Sequence, residues 1–162
     1  MARIYVSLGS NVRPAEHLRA GVETLRVRYG ELELSPVYES ESVGFVGDNF
    51  YNMVVGFATE DSVFELAQTL RAIEAEHGRV RSAQRFDTRT LDIDLLLYED
   101  IVLADRDLEL PRSEITCYAF VLRPLHDLAP QLRHPRIGRT MAELWAAFDD
   151  GSQALWPVEI QW

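Results

Sequence analysis

The sequence predicts an α+β fold built on a ferredoxin-like antiparallel sheet, with a C-terminal hairpin and further helices. The predicted elements follow the order β-α-β-β-α-β over residues 1–100, which is typical of a ferredoxin-like sheet with its helices on one face. The chain has 162 residues, of which 47% are hydrophobic, enough for one domain with its own core. We therefore expect residues 1–162 to form a single domain in which the residues after 100 decorate the sheet.

Short alternating runs rich in β-forming side chains predict the strands. They cover residues 3–8, 32–38, 50–59 and 90–98, and a hairpin is expected over residues 101–110. Residues 90–98 form the clearest strand. Because side chains alternate across a strand, its leucine and isoleucine positions should share one face. These positions are Leu91, Ile93, Leu95 and Leu97.

Apolar residues at helical spacing predict the helices. The first should begin at Pro14, which suits the first helical position, and should end at Gly30. The second should begin at a capping box formed by Ser62 and Glu65 and end at Gly78. Two shorter helices are expected over residues 118–128 and 141–148.

The charged residues exclude several kinds of chemistry. The chain has 26 acidic and 16 basic residues, a net charge of −10, and every basic residue is arginine. A chain without lysine has no Walker A lysine, no kinase strand lysine and no Schiff-base lysine. Its acidity also argues against a nucleic-acid partner, whose binding surface is usually basic.

The single cysteine, Cys117, excludes an intrachain disulfide and a multi-cysteine zinc site. The N-terminal apolar run is too short for a signal peptide, and no stretch approaches the roughly 20 apolar residues of a membrane span. We therefore expect a cytoplasmic protein without a membrane partner, and we expect it to be a monomer.

Asp92 and Asp94 are the sharpest chemical signal. They should project from the same face of their strand, about 6–7 Å apart at two residue rises. Two neighbouring aspartates repel each other, and a divalent cation would remove that repulsion. Carboxylates at this spacing can hold two magnesium ions for phosphoryl chemistry. The alternative is a pair of solvent-facing aspartates on an exposed sheet.

The segment before this strand is rich in arginine. Residues 79–89 contain Arg79, Arg81, Arg85 and Arg89 against one acid, Asp87. Guanidinium groups beside a metal site suit a polyphosphate substrate. A solvated surface loop that pairs with nearby glutamates is the alternative.

Aromatic residues supply a third signal. Phe50 and Phe120 could enclose a flat heterocycle, and the amide of Asn52 could pair with the edge of its ring. Ordinary core packing is the alternative for both phenylalanines.

Together these residues resemble the 6-hydroxymethyl-7,8-dihydropterin pyrophosphokinase family. Residues 78–98, with spaced arginines leading into RTLDID, are similar to the signature of that family. Supporting similarities are the YVSLGSN run at 5–11, Tyr51-Asn52 and the AFVLRPL run at 119–125. The resemblance extends from residue 3 to about residue 145 in the expected order.

The resemblance implies a ferredoxin-like fold and transfer of pyrophosphate from ATP to the hydroxymethyl group of the pterin, with release of AMP. It implies that Asp92 and Asp94 hold two Mg²⁺ ions and that Arg79 and Arg89 are catalytic contacts to the phosphates. The implied pterin-binding residues are Ser40, Val43, Phe50, Asn52 and Phe120. The implied ATP-binding residues are Glu74, Arg79, Arg81, Arg89, Arg112 and Tyr118.

Two positions depart from the family pattern. Pro111 is followed by Arg112 where the family usually has histidine, and Tyr118 stands where it usually has arginine. Arg112 could replace both lost cationic contacts. Two other hypotheses stay open: a non-catalytic or altered-specificity paralogue that binds pterin or nucleotide, and a palm-like nucleotidyl transferase.

Overall fold

The structure is a computed structural model that describes residues 1–41, 47–78, 90–149 and 151–162. Within these ranges the strands are β1 (Ala2–Ser10), β2 (Glu33–Leu34), β3 (Val37–Ser40), β4 (Phe50–Thr59), β5 (Asp92–Tyr98), β6 (Leu103–Ala104), β7 (Glu109–Leu110) and β8 (Leu155–Val158). The helices are α1 (Pro14–Tyr29), α2 (Val63–Glu76), α3 (Ala119–Leu128) and α4 (Met141–Ala147). Ser113–Thr116 form a turn of 3-10 helix.

The main sheet is antiparallel, with the strand order β5-β1-β4-β3-β8 and with β2 also paired to β4. The order of its first four strands is that of a ferredoxin-like sheet, so the predicted fold class is confirmed. The predicted hairpin is formed by β6 and β7. β8, which the sequence patterns do not predict, extends the sheet beyond β3.

Pro36 divides the second predicted strand. The prediction of one strand over residues 32–38 is wrong, because the structure has β2 and β3 on either side of this proline. Proline has no N–H group to donate to a ladder. Ser35 bridges the gap: its N–H donates to the carbonyl of Val54 at 3.0 Å, and its hydroxyl accepts from the Val54 N–H at 2.8 Å.

The helices begin where their capping residues predict. Pro14 opens α1, and the chain leaves this helix at Gly30, whose φ is +85°. At the start of α2, the Ser62 hydroxyl accepts from the Glu65 N–H at 3.2 Å and the Glu65 carboxylate accepts from the Ser62 N–H at 2.9 Å. None of the helices in the described ranges is long and apolar enough to cross a bilayer.

Helices cover both faces of the sheet. α1 and α2 pack on one face through residues such as Leu18 and Leu66. α3 and α4 pack on the other, where Leu122 and Met141 meet the sheet residue Val54. The prediction of helices on one face therefore holds for α1 and α2, while the C-terminal residues bury the opposite face as a second layer.

An irregularity in β5 changes the face of Leu97. Tyr5 pairs with Leu97 whereas Val6 pairs with Leu95, so the register shifts by one residue at this point. The expectation that Leu97 shares a face with Leu95 is wrong: Leu95 lies in the core under α1 and α2, and Leu97 lies in the cluster under α3 and α4. An inserted residue reverses the alternation of a strand. Asp92 and Asp94 precede the shift and keep one shared face.

Candidate active site

Three carboxylates meet at one edge of the sheet. β5 is an edge strand, and its Asp92 and Asp94 are joined by Glu74 from the last turn of α2. One oxygen of each residue lies within 4.8 Å of the other two. Glu74 is only 1% exposed, and its Oε2 accepts a hydrogen bond of 2.7 Å from the backbone N–H of Ile93. The hydrogen bond to β5 fixes Glu74 beside the two aspartates.

The chemistry of these three side chains fits a magnesium ion. Like charges repel strongly where water is partly excluded, and a cation that they share reverses this penalty. Magnesium prefers carboxylate oxygens and completes its shell with waters and substrate phosphates. The sequence indicates Asp92 and Asp94 as metal ligands and Glu74 as an ATP-binding residue. The structure brings Glu74 into the same cluster as the two aspartates.

Arg112 brings a positive charge to the cluster. It follows β7, and its backbone N–H donates to the carbonyl of Leu96 in β5 at 3.0 Å. Its Nη2 lies 3.5 Å from Oδ1 of Asp94 and 2.9 Å from Oε1 of Glu114. Burial alone would lower the pKa of this guanidinium, but the charges of Asp94 and Glu114 outweigh burial and hold the pKa above its usual value. Arg112 is therefore a permanent cation at the edge of the carboxylate cluster.

A row of paired residues links the carboxylates to Asn52. Asp92 in β5 pairs with Gly9 in β1, and Gly9 pairs with Asn52 in β4. Directly paired residues project from the same face, so Asn52 and Asp92 lie on one face about 10 Å apart, two strand spacings. A Cβ atom on Gly9 would lie 2.6 Å from Oδ1 of Asn52. Because Gly9 has no side chain, the side chain of Asn52 can extend over the backbone of Gly9.

The predicted aromatic residues lie on this same side of the sheet. Phe50 is two residues before Asn52 in β4 and pairs with Ser40 in β3. Phe120, in the first turn of α3, packs against the apolar cluster that contains Val54. The structure thus brings Ser40, Phe50 and Asn52 together on one surface of β3 and β4, which we call the floor. The N-terminal end of α3 lies above the same face.

Tyr118 stacks on Phe120. Their ring centroids are 5.0 Å apart and the ring planes are inclined by 18°. Tyr118 immediately precedes α3, so the residue predicted for nucleotide binding and the residue predicted for pterin stacking are in direct contact. A change at either ring is expected to alter the position of the other.

Four of the predicted site residues lie outside the described residues. They are Val43 in the segment 42–46 and Arg79, Arg81 and Arg89 in the segment 79–89. Their predicted roles as pterin contact and phosphate contacts stay predictions.

The sequence patterns missed two residues that shape the site. Gly9 belongs to the run at residues 5–11 that is similar to the family, but nothing in that run indicates a role for it. Its role depends on its cross-strand pairing with Asn52, which no local pattern reveals. Gln153 lies far along the chain, yet its side chain hydrogen-bonds to both Cys117 and Ala119 at the start of α3. No local signal in the sequence could have found this contact.

Comparison with known proteins gives a consistent result. A family model described as 7,8-dihydro-6-hydroxymethylpterin-pyrophosphokinase (HPPK) matches residues 5–130. A 2-amino-4-hydroxy-6-hydroxymethyldihydropteridine pyrophosphokinase of Pseudomonas aeruginosa is 41% identical over 150 residues, covering 90% of this chain and 91% of the relative. The protein of the same description from Synechocystis sp. is 36% identical over 156 residues, covering 94% of this chain and 78% of the relative.

The fold has solved counterparts. Wild-type HPPK-DHPS of Plasmodium falciparum superposes with a TM-score of 0.68 at 15% sequence identity and covers 90% of this chain. This chain spans 44% of the length of that protein. At such low identity the likeness concerns the fold alone.

Proposed function

Because the chain belongs to the 7,8-dihydro-6-hydroxymethylpterin-pyrophosphokinase family, we propose that the carboxylate cluster and the floor around Asn52 are the two halves of its active site. The protein is a pyrophosphokinase of folate biosynthesis. ATP is the proposed donor, the hydroxymethyl group of 6-hydroxymethyl-7,8-dihydropterin is the acceptor, and AMP and the pterin diphosphate are the products.

The row from Asn52 through Gly9 to Asp92 carries this proposal. A pterin whose polar edge pairs with the Asn52 amide would lie over Gly9, with Phe50 and Phe120 available to its ring faces. Its hydroxymethyl group would then extend toward Asp92. This placement brings the acceptor oxygen to the carboxylate cluster, where the phosphates must be held.

Asp92 and Asp94 would hold magnesium, with Glu74 as a third carboxylate at the same point. Bound Mg²⁺ neutralises phosphate charge and orients the phosphate chain. We propose that two Mg²⁺ ions bind at this cluster. Asp92, which is nearer the pterin side of the row, would also orient the attacking hydroxyl group. Pyrophosphoryl transfer depends mainly on alignment and charge neutralisation, so this chain needs no covalent intermediate.

Arg112 and Tyr118 would serve the nucleotide. A partly buried guanidinium that is held by Glu114 and lies beside Asp94 is placed to contact phosphate oxygens that approach the cluster. Arg79, Arg81 and Arg89 are proposed as additional phosphate contacts on the basis of the family resemblance. We further propose that residues 1–162 act as one domain and as a monomer in the cytoplasm; the sheet that runs from β5 to β8 supports the single domain.

One observation favours a second candidate, a non-catalytic paralogue that binds pterin or nucleotide. Arg112 lies against Asp94, where a cation could compete with magnesium. Family membership argues against the third hypothesis, a nucleotidyl transferase without a pterin substrate.

Product analysis separates these possibilities. The protein is incubated with ATP, Mg²⁺ and 6-hydroxymethyl-7,8-dihydropterin, and nucleotides are resolved by chromatography. The proposal expects AMP that appears only when pterin is present. Pterin binding without AMP would indicate the paralogue, and pyrophosphate release without pterin would indicate the nucleotidyl transferase.

A further inference from the structure

The C-terminal segment Gln153–Val158 lies against the floor of the proposed pterin site. Its strand β8 pairs with β3, and within this pairing Leu155 is opposite Ser40. Ser40 is in turn opposite Phe50. The segment lies after residue 130, where the family match ends, so that match assigns it no role.

Gln153 connects this segment to the start of α3. Its Oε1 accepts a hydrogen bond of 2.9 Å from the N–H of Ala119, and its Nε2 donates to the carbonyl of Cys117 at 3.1 Å. The two bonds lie on either side of Tyr118. The first N–H groups of a helix have no partner within the helix, and the side chain of Tyr118 makes no capping hydrogen bond. Gln153 therefore caps α3 from a distant part of the chain.

A second contact ties the same segment to β3 on the opposite face of the sheet. The indole Nε1 of Trp156 donates to Oε1 of Glu39 at 3.1 Å. The other oxygen of Glu39 accepts a hydrogen bond of 3.0 Å from the side-chain amide of Asn49, next to Phe50. One short segment thus contacts Ala119, immediately before Phe120, and is linked through Glu39 to Asn49, immediately before Phe50.

We propose that Gln153 is a positioning residue for the pterin site: by holding Cys117 and Ala119, it sets the height and tilt of Tyr118 and Phe120 above the β4 floor. This inference rests on the proposed function of that site. A ring that stacks on a flat substrate must be held at van der Waals distance, and a fraction of an ångström of drift removes much of the contact energy.

The surroundings of Gln153 indicate that its role is local. It is half-buried, and it lines a cavity of about 350 Å³ together with Tyr38, Arg123 and Trp145. Truncation would enlarge a space that is already open rather than disrupt the packed core. We therefore expect Gln153→Ala to fold, so that its effect can be measured at the site.

The first measurement tests whether Gln153 stabilises the start of α3. In hydrogen–deuterium exchange, Gln153→Ala should speed exchange of the amides at the start of α3 about tenfold, the factor that corresponds to one lost hydrogen bond. Gln153→Glu keeps an acceptor for Ala119 and should exchange close to the wild-type rate. Gln161→Ala, an exposed glutamine of the same tail, is the matched control and should be unchanged.

The second measurement tests the effect of Gln153 on pterin binding. Gln153→Ala should raise the KM for pterin roughly five- to thirtyfold, because two hydrogen bonds are lost, while kcat stays within about threefold. Gln153→Glu, which lacks the donor to Cys117, should give an intermediate KM. Gln161→Ala should match the wild type in both constants.

Two results would overturn the inference. One is an unchanged exchange rate at the start of α3 in Gln153→Ala. The other is a fall in kcat with an unaltered KM for pterin, which would mean that Gln153 only maintains the folded fraction. A wild-type protein without pterin-dependent AMP formation would instead refute the proposed function, and the exchange experiment would still report whether Gln153 holds α3.

Discussion

Nη2 of Arg112 lies 3.5 Å from Oδ1 of Asp94, so a guanidinium and a candidate magnesium ligand form a partly buried ion pair. Glu114 holds the same guanidinium from its other side at 2.9 Å. Such a pair is costly to break by removal of one partner, because the other charge is left without compensation. Arg112 therefore limits the repulsion within the carboxylate cluster, and in the proposed function it would also contact the phosphates.

Arg112→Ala is expected to lower kcat/KM for ATP about 10- to 150-fold, the loss of one charged hydrogen bond of about 1.5–3 kcal/mol. Steady-state kinetics with varied ATP provide the measurement. Arg139→Ala removes an exposed arginine near α4 and should leave the kinetics unchanged.

Arg112→His tests whether the arginine is an adaptation. If Arg112 supplies the phosphate contact, histidine is a shorter and mostly neutral substitute at pH 7.5, and activity should fall. A large gain in activity for Arg112→His would contradict this account and favour an impaired native site.

Removal of either aspartate should abolish efficient transfer. Asp92→Ala and Asp94→Ala are each expected to reduce kcat at least about 10³-fold, which corresponds to roughly 4 kcal/mol of transition-state stabilisation. Asp105→Asn, in the exposed hairpin loop, is the control and should keep wild-type activity. Near-normal turnover by either alanine variant would refute the metal assignment.

Gly9→Ala tests the row that joins the two halves of the site. The new Cβ atom would lie 2.6 Å from Oδ1 of Asn52, so the amide must move. We expect the KM for pterin to rise about tenfold, as for the loss of one hydrogen bond of about 1.4 kcal/mol. In a double-mutant cycle, Gly9→Ala should add little to Asn52→Ala, because the clash no longer exists. Fully additive effects would mean that Gly9→Ala acts independently of the Asn52 amide, which would contradict this coupling.

Protein stability should fall below neutral pH in part because of His134. Burial, with a contribution from Arg136, lowers the pKa of its imidazole. Its Nδ1 accepts the backbone N–H groups of Arg136 and Ile137 at 3.3 and 3.2 Å, which requires an unprotonated nitrogen. As pH falls through the unfolded-state pKa of about 6.5, the unfolded chain binds a proton that the folded chain resists, so unfolding is favoured.

The measurement is the melting temperature at pH 7.5 and pH 5.5. His134→Asn offers an amide oxygen in place of Nδ1 and does not titrate, so its melting temperature should drop less between the two values than that of the wild type. His77, whose pKa burial and His17 also lower, is present in both proteins and cancels in the comparison. An equal drop in both proteins would exclude His134 as a contributor.

Local patterns in the sequence predicted the elements that depend on local chemistry. The capping box of Ser62 and the alternation around Asp92 and Asp94 involve residues two or three positions apart, and the structure has both. β8 could not be found in this way, because its short run contains Pro157 and its partner β3 lies more than 110 residues earlier. The bulge that turns Leu97 to the other face likewise depends on pairing with β1.

The same distinction applies to the candidate site. Residue type and the family resemblance together predict five residues of the candidate site: Phe50, Asn52, Asp92, Asp94 and Phe120. The contribution of Glu74 to the carboxylate cluster and the cap that Gln153 places on α3 arise only when distant segments meet.

The fate of the three phosphates of ATP tests the proposed reaction. The protein is incubated with Mg²⁺, 6-hydroxymethyl-7,8-dihydropterin and ATP labelled separately in the α-, β- or γ-phosphate, and the pterin product is isolated. We expect the β and γ labels to move together to the pterin and the α label to stay in AMP. Transfer of the γ label alone, or release of β and γ labels as free pyrophosphate, would contradict this reaction.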